Sequence, residues 1–151
     1  MRNTVNYEVK GQLAKLLATE DLIIENRKVS TASFDVKRRV LTLPMWERAS
    51  GTVYDLLVGH EVGHALYTPE DNWKKEYPDT PKSFVNILED VRIEKLMKRK
   101  YPGLTKTFYS GYSQLSDQDF FEVEGEDIGD MILPDRINLQ YKIGSFIDVP
   151  F

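Results

Sequence analysis

The spacing of hydrophobic residues changes along the chain and divides it into helices and strands. Apolar residues recur at helical spacing over residues about 4–18. Apolar and polar residues then alternate over about 20–44, which predicts a small antiparallel or mixed sheet. The period returns to about 3.6 over about 53–67 and about 81–100, which predicts two longer helices. With a short helix over 134–144, the pattern predicts an α+β protein.

Length and composition indicate a single domain spanning residues 1–151. The chain has 151 residues, of which 41% are hydrophobic and 29% charged, as in globular proteins with one core. The sequence ends on an apolar, strand-like segment, SFIDVPF. That ending raises a second interpretation, in which the chain is the N-terminal part of a longer protein.

Charge, cysteine content and hydropathy exclude several classes of protein. The net charge of −4 argues against nucleic acid as the main partner. The chain contains no cysteine, so disulfides, thiol chemistry and cysteine-ligated zinc are excluded. No apolar run approaches the roughly 20 residues of a membrane span, and the N-terminus has no apolar signal core. We therefore expect a cytoplasmic protein with no membrane partner.

Both histidines of the chain lie within one predicted helical turn, in the segment His60-Glu61-Val62-Gly63-His64. Each helical residue advances by about 100°, so His64 lies about 40° from His60 and Glu61 about 100° from it. Two imidazoles at i and i+4 can bind one metal ion, and the glutamate can reach a water bound to that ion. This is the H-E-x-x-H arrangement of zinc metallopeptidases.

Zinc would give these residues a hydrolytic role, because it lowers the pKa of a bound water to about 7. Glu61 would then accept and relay the proton as the catalytic base. The alternative is a chance match. Against it, two histidines and a glutamate buried in an apolar helix without a partner would cost several kcal/mol. Gly63 costs about 1 kcal/mol in a helix relative to alanine, which is understandable if another element approaches closely.

A catalytic zinc needs three protein ligands, and without a third histidine or a cysteine the third must be a carboxylate. The helix predicted over about 81–100 offers Glu89, Asp90 and Glu94. Glu89 lies at the centre of an apolar stripe, where an acid is rarely tolerated unless it is paired or metal-bound. We predict Glu89 as the ligand, with Asp90 and Glu94 as alternatives. Asp90 could instead accept the free ring N–H of a ligating histidine.

A peptidase also needs a group that stabilises the oxyanion, often a tyrosine or a histidine. Tyr109 and Tyr112 are the candidates. They lie in a segment that contains serine and glycine and is predicted to be a loop. The alternative is that both rings pack on the core.

The segments HEVGHALYTPEDNW and NILEDVRIEKLMKRKYPGL together resemble the zinc metallopeptidases of tailed bacteriophages. That family looks related to zincin-like segments of some cobalt-chelatase and von Willebrand-type proteins. The resemblance implies a zincin fold of the glutamate-ligand (gluzincin) type, with His60, His64 and Glu89 as zinc ligands and Glu61 as catalytic base. It also implies a phage product acting in the host cytoplasm.

The sequence thus predicts a metallopeptidase that hydrolyses peptide bonds through a zinc-bound water activated by Glu61. Its partner would be a peptide or protein substrate, bound as an added strand along a predicted edge strand, RVLTLP. The first alternative is a non-catalytic zinc module for interaction or assembly in a phage. A metal-free relic is the second.

Overall fold

The α+β class is confirmed, and the predicted helices and strands occur in the predicted order, together with one helix that was not predicted. The structure is a computed structural model that describes residues 5–70 and 76–151. Within these ranges it contains five α-helices, a three-stranded sheet and a short 3-10 helix. The elements are α1 (Tyr7–Ala18), β1 (Ile23–Arg27), β2 (Ser33–Asp35), β3 (Val40–Pro44), α2 (Gly51–Tyr67), α3 (Lys82–Lys100), α4 (Leu104–Asp117), the 3-10 helix (Ile128–Asp130) and α5 (Leu133–Ile143).

The sheet is mixed, with strand order β1-β3-β2. β1 runs parallel to β3, from Ile23 opposite Val40 to Arg27 opposite Pro44. β2 pairs with β3 in antiparallel fashion through a tight turn. The prediction that the segment RVLTLP is an edge strand is therefore wrong, since β3 has a neighbour on each side. Its residues are buried on both faces, as expected of a central strand, and the edges of the sheet are β1 and β2.

Helix α2 is the centre of the molecule and carries the two histidines. It packs against α1, α3, α4 and β2, and most of its residues are buried. A helix that is apolar around most of its circumference is expected in such an interior position. The side chain of Ser50 caps it by accepting a hydrogen bond from the amide of Val53. The imidazoles are thus presented by a rigid element.

Gly63 allows α2 and α3 to cross at close range. A Cβ atom added to Gly63 would lie 2.7 Å from Cδ1 of Ile93 and 3.1 Å from Cγ of Met97. Both of those side chains are fully buried, so neither can move aside freely. The structure accounts for the helical glycine by this close approach, and the crossing brings the acids of α3 beside the histidines.

The segment that contains Tyr109 and Tyr112 is helical, so its prediction as a loop is wrong. It forms α4, and the buried residues Phe108, Gly111, Tyr112 and Leu115 recur at i, i+3, i+4 and i+7. That spacing is the helical one, and burial of this face against α2 outweighs the low helix propensity of serine and glycine.

At the N-terminus, α1 begins at Tyr7 with Asn6 as its cap. The start predicted near residue 4 lies outside the described residues. Across residues 5–70 and 76–151, every helix is too short or too polar to cross a bilayer.

Candidate metal centre

Three donor atoms from α2 and α3 converge on one point. They are Nε2 of His60, Nε2 of His64 and one carboxylate oxygen of Asp90, and all lie within 4.8 Å of one another. Oδ1 of Asp90 is 3.3 Å from the His60 nitrogen and 3.1 Å from the His64 nitrogen. Two imidazoles and a carboxylate form the donor set of many catalytic zinc sites.

Asp90, rather than Glu89, is the acid that the structure brings to the imidazoles. Glu89 is buried as predicted, but both of its oxygens accept hydrogen bonds from Arg92, at 2.6 Å and 2.9 Å. This bidentate pair compensates the burial of Glu89 without a metal. The ion pair with Arg92 therefore accounts for an acid among apolar residues at position 89. The geometry favours Asp90 as the third donor.

Glu89 is instead connected to His64 through a threonine. The hydroxyl of Thr68 donates to Glu89 at 2.9 Å, so its oxygen must accept from Nδ1–H of His64, which lies 2.7 Å away. This chain of hydrogen bonds places the proton of a neutral His64 on Nδ1. The Nε2 lone pair is thereby left for a metal.

His60 is backed by a different acid, Glu94, which is fully buried. Oε2 of Glu94 lies 3.4 Å from Nδ1 of His60, a nitrogen that makes no well-formed hydrogen bond among the described residues. The hydroxyl of Tyr112 donates toward both oxygens of Glu94, each at 3.0 Å. Glu94, an alternative ligand in the sequence analysis, therefore lies behind the imidazole, on the side away from Asp90.

The charges around His60 alter its protonation. Burial alone would lower the pKa of this imidazole, but Asp90, Glu94 and Glu61 outweigh burial and raise it to about 10. Burial would likewise raise the pKa of Asp90, but the hydrogen bond from His60 and the positive charges of His60 and Lys142 hold it well below its usual range. The centre thus holds more negative than positive charge unless a cation or a proton is added.

Glu61 lies beside this donor set. Its Oε1 is 4.0 Å from Nε2 of His60, and its side chain is 10% exposed. Burial raises the pKa of Glu61, an effect only partly opposed by the nearby histidines. A carboxylate with a raised pKa is a stronger base than an exposed one, as a proton acceptor at neutral pH requires.

Lys142 is the residue that sequence reasoning missed. It lies in the last turn of α5, and its ammonium is 3.2 Å from Oδ2 of Asp90. The two residues are 52 positions apart, so no local pattern connects them. The nearest signal was a lysine between the apolar residues Tyr141 and Ile143 of the final helix.

The site as a whole fits a divalent cation. Glu61, Asp90 and Glu94 supply three carboxylates, and Lys142 is the only lysine or arginine in the described chain that forms an ion pair with any of them. Two negative charges remain when the imidazoles are neutral, which a divalent ion would balance. The nitrogen and oxygen donors suit zinc, and no cysteine is present to favour a softer ion.

The donor set opens into a cleft of about 630 Å³. Apolar side chains form one part of its lining, contributed by β2, α2, α4 and the turn after α4: Phe34, Leu57, Leu115, Phe120 and Phe121. Tyr112 also lines the cleft, but its hydroxyl is engaged by Glu94. The ring of Tyr109 packs on Phe146 with 59% of the residue exposed, so this oxyanion candidate lies away from the donor set.

In comparisons with known proteins, no family model, no curated protein and no solved structure matches the chain.

Proposed function

We propose that this chain is a zinc-dependent metallopeptidase with a zincin-like fold. His60, His64 and Asp90 would hold the zinc, and Glu61 would act as general base. The observation that carries the proposal is the convergence of two imidazole Nε2 atoms and a carboxylate oxygen within 4.8 Å, with a buried glutamate adjoining them. The zinc ligand on α3 is thus an aspartate in this proposal, in place of the glutamate expected of a gluzincin.

The protein's own groups have distinct tasks in such a reaction. Bound zinc would supply Lewis acidity, which makes water acidic enough to ionise near pH 7 and polarises a carbonyl group. Glu61 takes the proton from the attacking water and later passes it to the leaving amine. Thr68 accepts from Nδ1 of His64, and Glu94 lies 3.4 Å from Nδ1 of His60, while both Nε2 atoms face the same point.

The substrate would be an extended peptide. β2 is the edge strand that lines the cleft, through Ser33 and Phe34, so its free edge could pair with a peptide by strand addition. The apolar part of the cleft would receive a large hydrophobic side chain beside the bond to be cut. This placement transfers the predicted substrate strand from β3 to β2.

Replacing Glu61 by glutamine tests the catalytic role, because it keeps the size and removes the base. Zinc content should stay at about one per chain, while cleavage of an unfolded protein or peptide library should fall by roughly 10²–10⁴-fold. Glu8→Gln, at an exposed position on α1, is the matched control and should cut like the wild type. Absence of cleavage by wild type across a broad library, or equal cleavage by Glu61→Gln, would reject the peptidase.

One observation favours a second candidate, a non-catalytic zinc module. Oε1 of Glu61 is 4.0 Å from Nε2 of His60, close enough for small movements to make Glu61 a fourth protein ligand. A structural zinc site is closed by four protein ligands, whereas a catalytic one keeps an open position. For a closed site, Glu61→Gln should weaken zinc affinity measurably, whereas the peptidase should retain it.

A further inference from the structure

Lys142 occupies a sheltered place in the same cleft as the donor set. Its side chain is 14% exposed, and it lines the cleft together with His60, Glu61 and His64. The flanking helix residues Leu139 and Ile143 are buried and fix the last turn of α5 against the rest of the chain. The ammonium is therefore delivered to the site by a packed helix, not by a mobile surface side chain.

The ion pair that Lys142 forms differs from an exposed ion pair in its burial. Removing an ammonium from water is costly, and only a well-placed partner compensates that cost. The partner is Oδ2 of Asp90, 3.2 Å away, on a side chain that is itself 21% exposed. Both side chains are thus largely buried, and dissolved salt weakens such a pair less than it weakens an exposed one.

The two oxygens of Asp90 are divided between different partners. Oδ1 faces the two imidazole nitrogens, at 3.1 Å and 3.3 Å, while Oδ2 faces Lys142. A partial rotation of the carboxylate would lengthen both sets of contacts. Lys142 therefore occupies one oxygen of Asp90 while the other faces the imidazoles.

Each of the other two donors also has a polar neighbour at its Nδ1 atom. The neighbour of His64 is Thr68, and that of His60 is Glu94. Residues that orient a metal ligand in this way tune the affinity of the site. We propose that Lys142 is the positioning residue of Asp90, reserving Oδ2 so that Oδ1 alone is offered to the metal. The inference rests on the proposed zinc site, but not on peptidase activity.

Zinc affinity measured by chelator competition tests the proposal. Lys142→Met removes a positive charge near the ion, which by itself favours zinc, and also releases Asp90, which disfavours it. We expect the loss of positioning to outweigh the charge effect, so zinc binding should weaken on the order of 10–100-fold, and Lys142→Arg should recover part of the loss. Lys98→Met is the control: that ammonium lies over the rings of Phe108 and Tyr141, and its loss should leave zinc affinity unchanged.

Cobalt substitution gives a second readout that a general loss of stability would not produce. With Asp90 released, both of its oxygens can contact the ion, so cobalt-loaded Lys142→Met should show the weaker visible absorption of a higher coordination number. An unchanged spectrum together with wild-type affinity would overturn the proposal. So would a loss of affinity of the same size in the control Lys98→Met.

Failure of this inference is distinguishable from failure of the proposed function. A wild-type chain that binds zinc but cuts no peptide rejects the peptidase, and the Lys142 variants still decide the positioning role. A wild type that binds zinc and cuts peptides, with Lys142→Met equal to it in affinity, rejects only the inference. A wild type that binds no zinc rejects both.

Discussion

Oδ1 of Asp90 lies 3.1 Å from Nε2 of His64, across the crossing of α2 and α3. The preceding residue, Glu89, is turned by about 100° on the same helix and is bonded to Arg92. Two adjacent acids therefore contact opposite sides of one imidazole: Asp90 directly at Nε2, Glu89 through Thr68 at Nδ1. Mutations can separate the contributions of Asp90 and Glu89 to the proposed zinc binding.

The first prediction concerns the identity of the third ligand. Asp90→Ala should lose zinc as completely as His60→Ala or His64→Ala, because each removes one of three donors. Glu89→Ala should only weaken binding, on the order of 10–100-fold, because it removes a group that orients His64. Metal content after gel filtration and affinity by competition would measure both. Retention of zinc by Asp90→Ala with loss in Glu89→Ala would restore the assignment made from the sequence.

The second prediction concerns the buried acid Glu94. Tyr112→Phe removes the hydroxyl that donates to it and leaves a fully buried carboxylate short of a partner. The metal-free protein should lose about 1–3 kcal/mol of unfolding free energy in urea denaturation. Tyr109→Phe changes an exposed phenol on the same helix and should be neutral. Equal stability of the two variants would contradict a role for this hydrogen bond.

The third prediction compares two of the three glycines of α2, Gly59 and Gly63. Gly63→Ala places a methyl group 2.7 Å from Ile93 in a packed crossing, so we expect about 1–3 kcal/mol of destabilisation and weaker zinc binding. Gly59→Ala meets only ordinary contacts, the nearest 3.4 Å away at Phe108, and should be neutral or stabilising by up to about 1 kcal/mol. Thermal unfolding with and without chelator would compare them. If Gly63→Ala is as stable as Gly59→Ala, the crossing of α2 and α3 has room for a methyl group, and the proposed reason for Gly63 is wrong.

The fourth prediction concerns pH in chelator-treated protein. The pKa of His60 is about 10 in the folded state, above its ordinary 6.5, because nearby acids outweigh burial. A raised pKa adds stability that is fully present below pH 6.5 and is lost as pH rises toward 10. The stability advantage of wild type over His60→Gln should therefore shrink between these limits in urea titrations. An advantage that grows with pH over this window would refute the assignment.

The zinc affinity should change with pH in the opposite direction, because the metal would compete with the proton on His60. Binding should release protons, and affinity should rise with pH across the same window. Calorimetry in buffers of different ionisation enthalpy measures the protons released. Chelation of the loaded protein at neutral pH should also lower its melting temperature, because the metal binds only the folded chain.

The helical part of the site was predictable because it is local. His60, Glu61 and His64 are placed by the repeat of one helix, whatever packs against it. The third donor depends on how α3 is rotated toward α2, which a helical wheel cannot supply. The wheel ranked Glu89 first as an acid among apolar neighbours, but Arg92, three residues further on, satisfies it. Lys142 comes from a distant segment and had no local signal.

Two predictions, for β3 and for α4, are wrong although the sequence carries the pattern of the observed structure. The run Val40, Leu41, Leu43 is buried on both faces of the sheet, a pattern typical of a central strand, but Pro44 suggested an edge. In α4, the spacing of Phe108 and Tyr112 is helical, but the intervening serine and glycine suggested a loop. In both cases burial against neighbouring elements outweighed the preference of single residues.

The contact between Asp90 and Lys142 joins two segments that are synthesised at different times, 52 residues apart. The ribosome releases α2 first, α3 later and α5 after both, and domains generally fold as units once their parts are available. A growing chain therefore exposes both histidines long before the lysine that steadies the aspartate can reach it. The donors of the proposed metal site are therefore all synthesised before Lys142, and Asp90 can acquire its second partner only after the chain has passed residue 142.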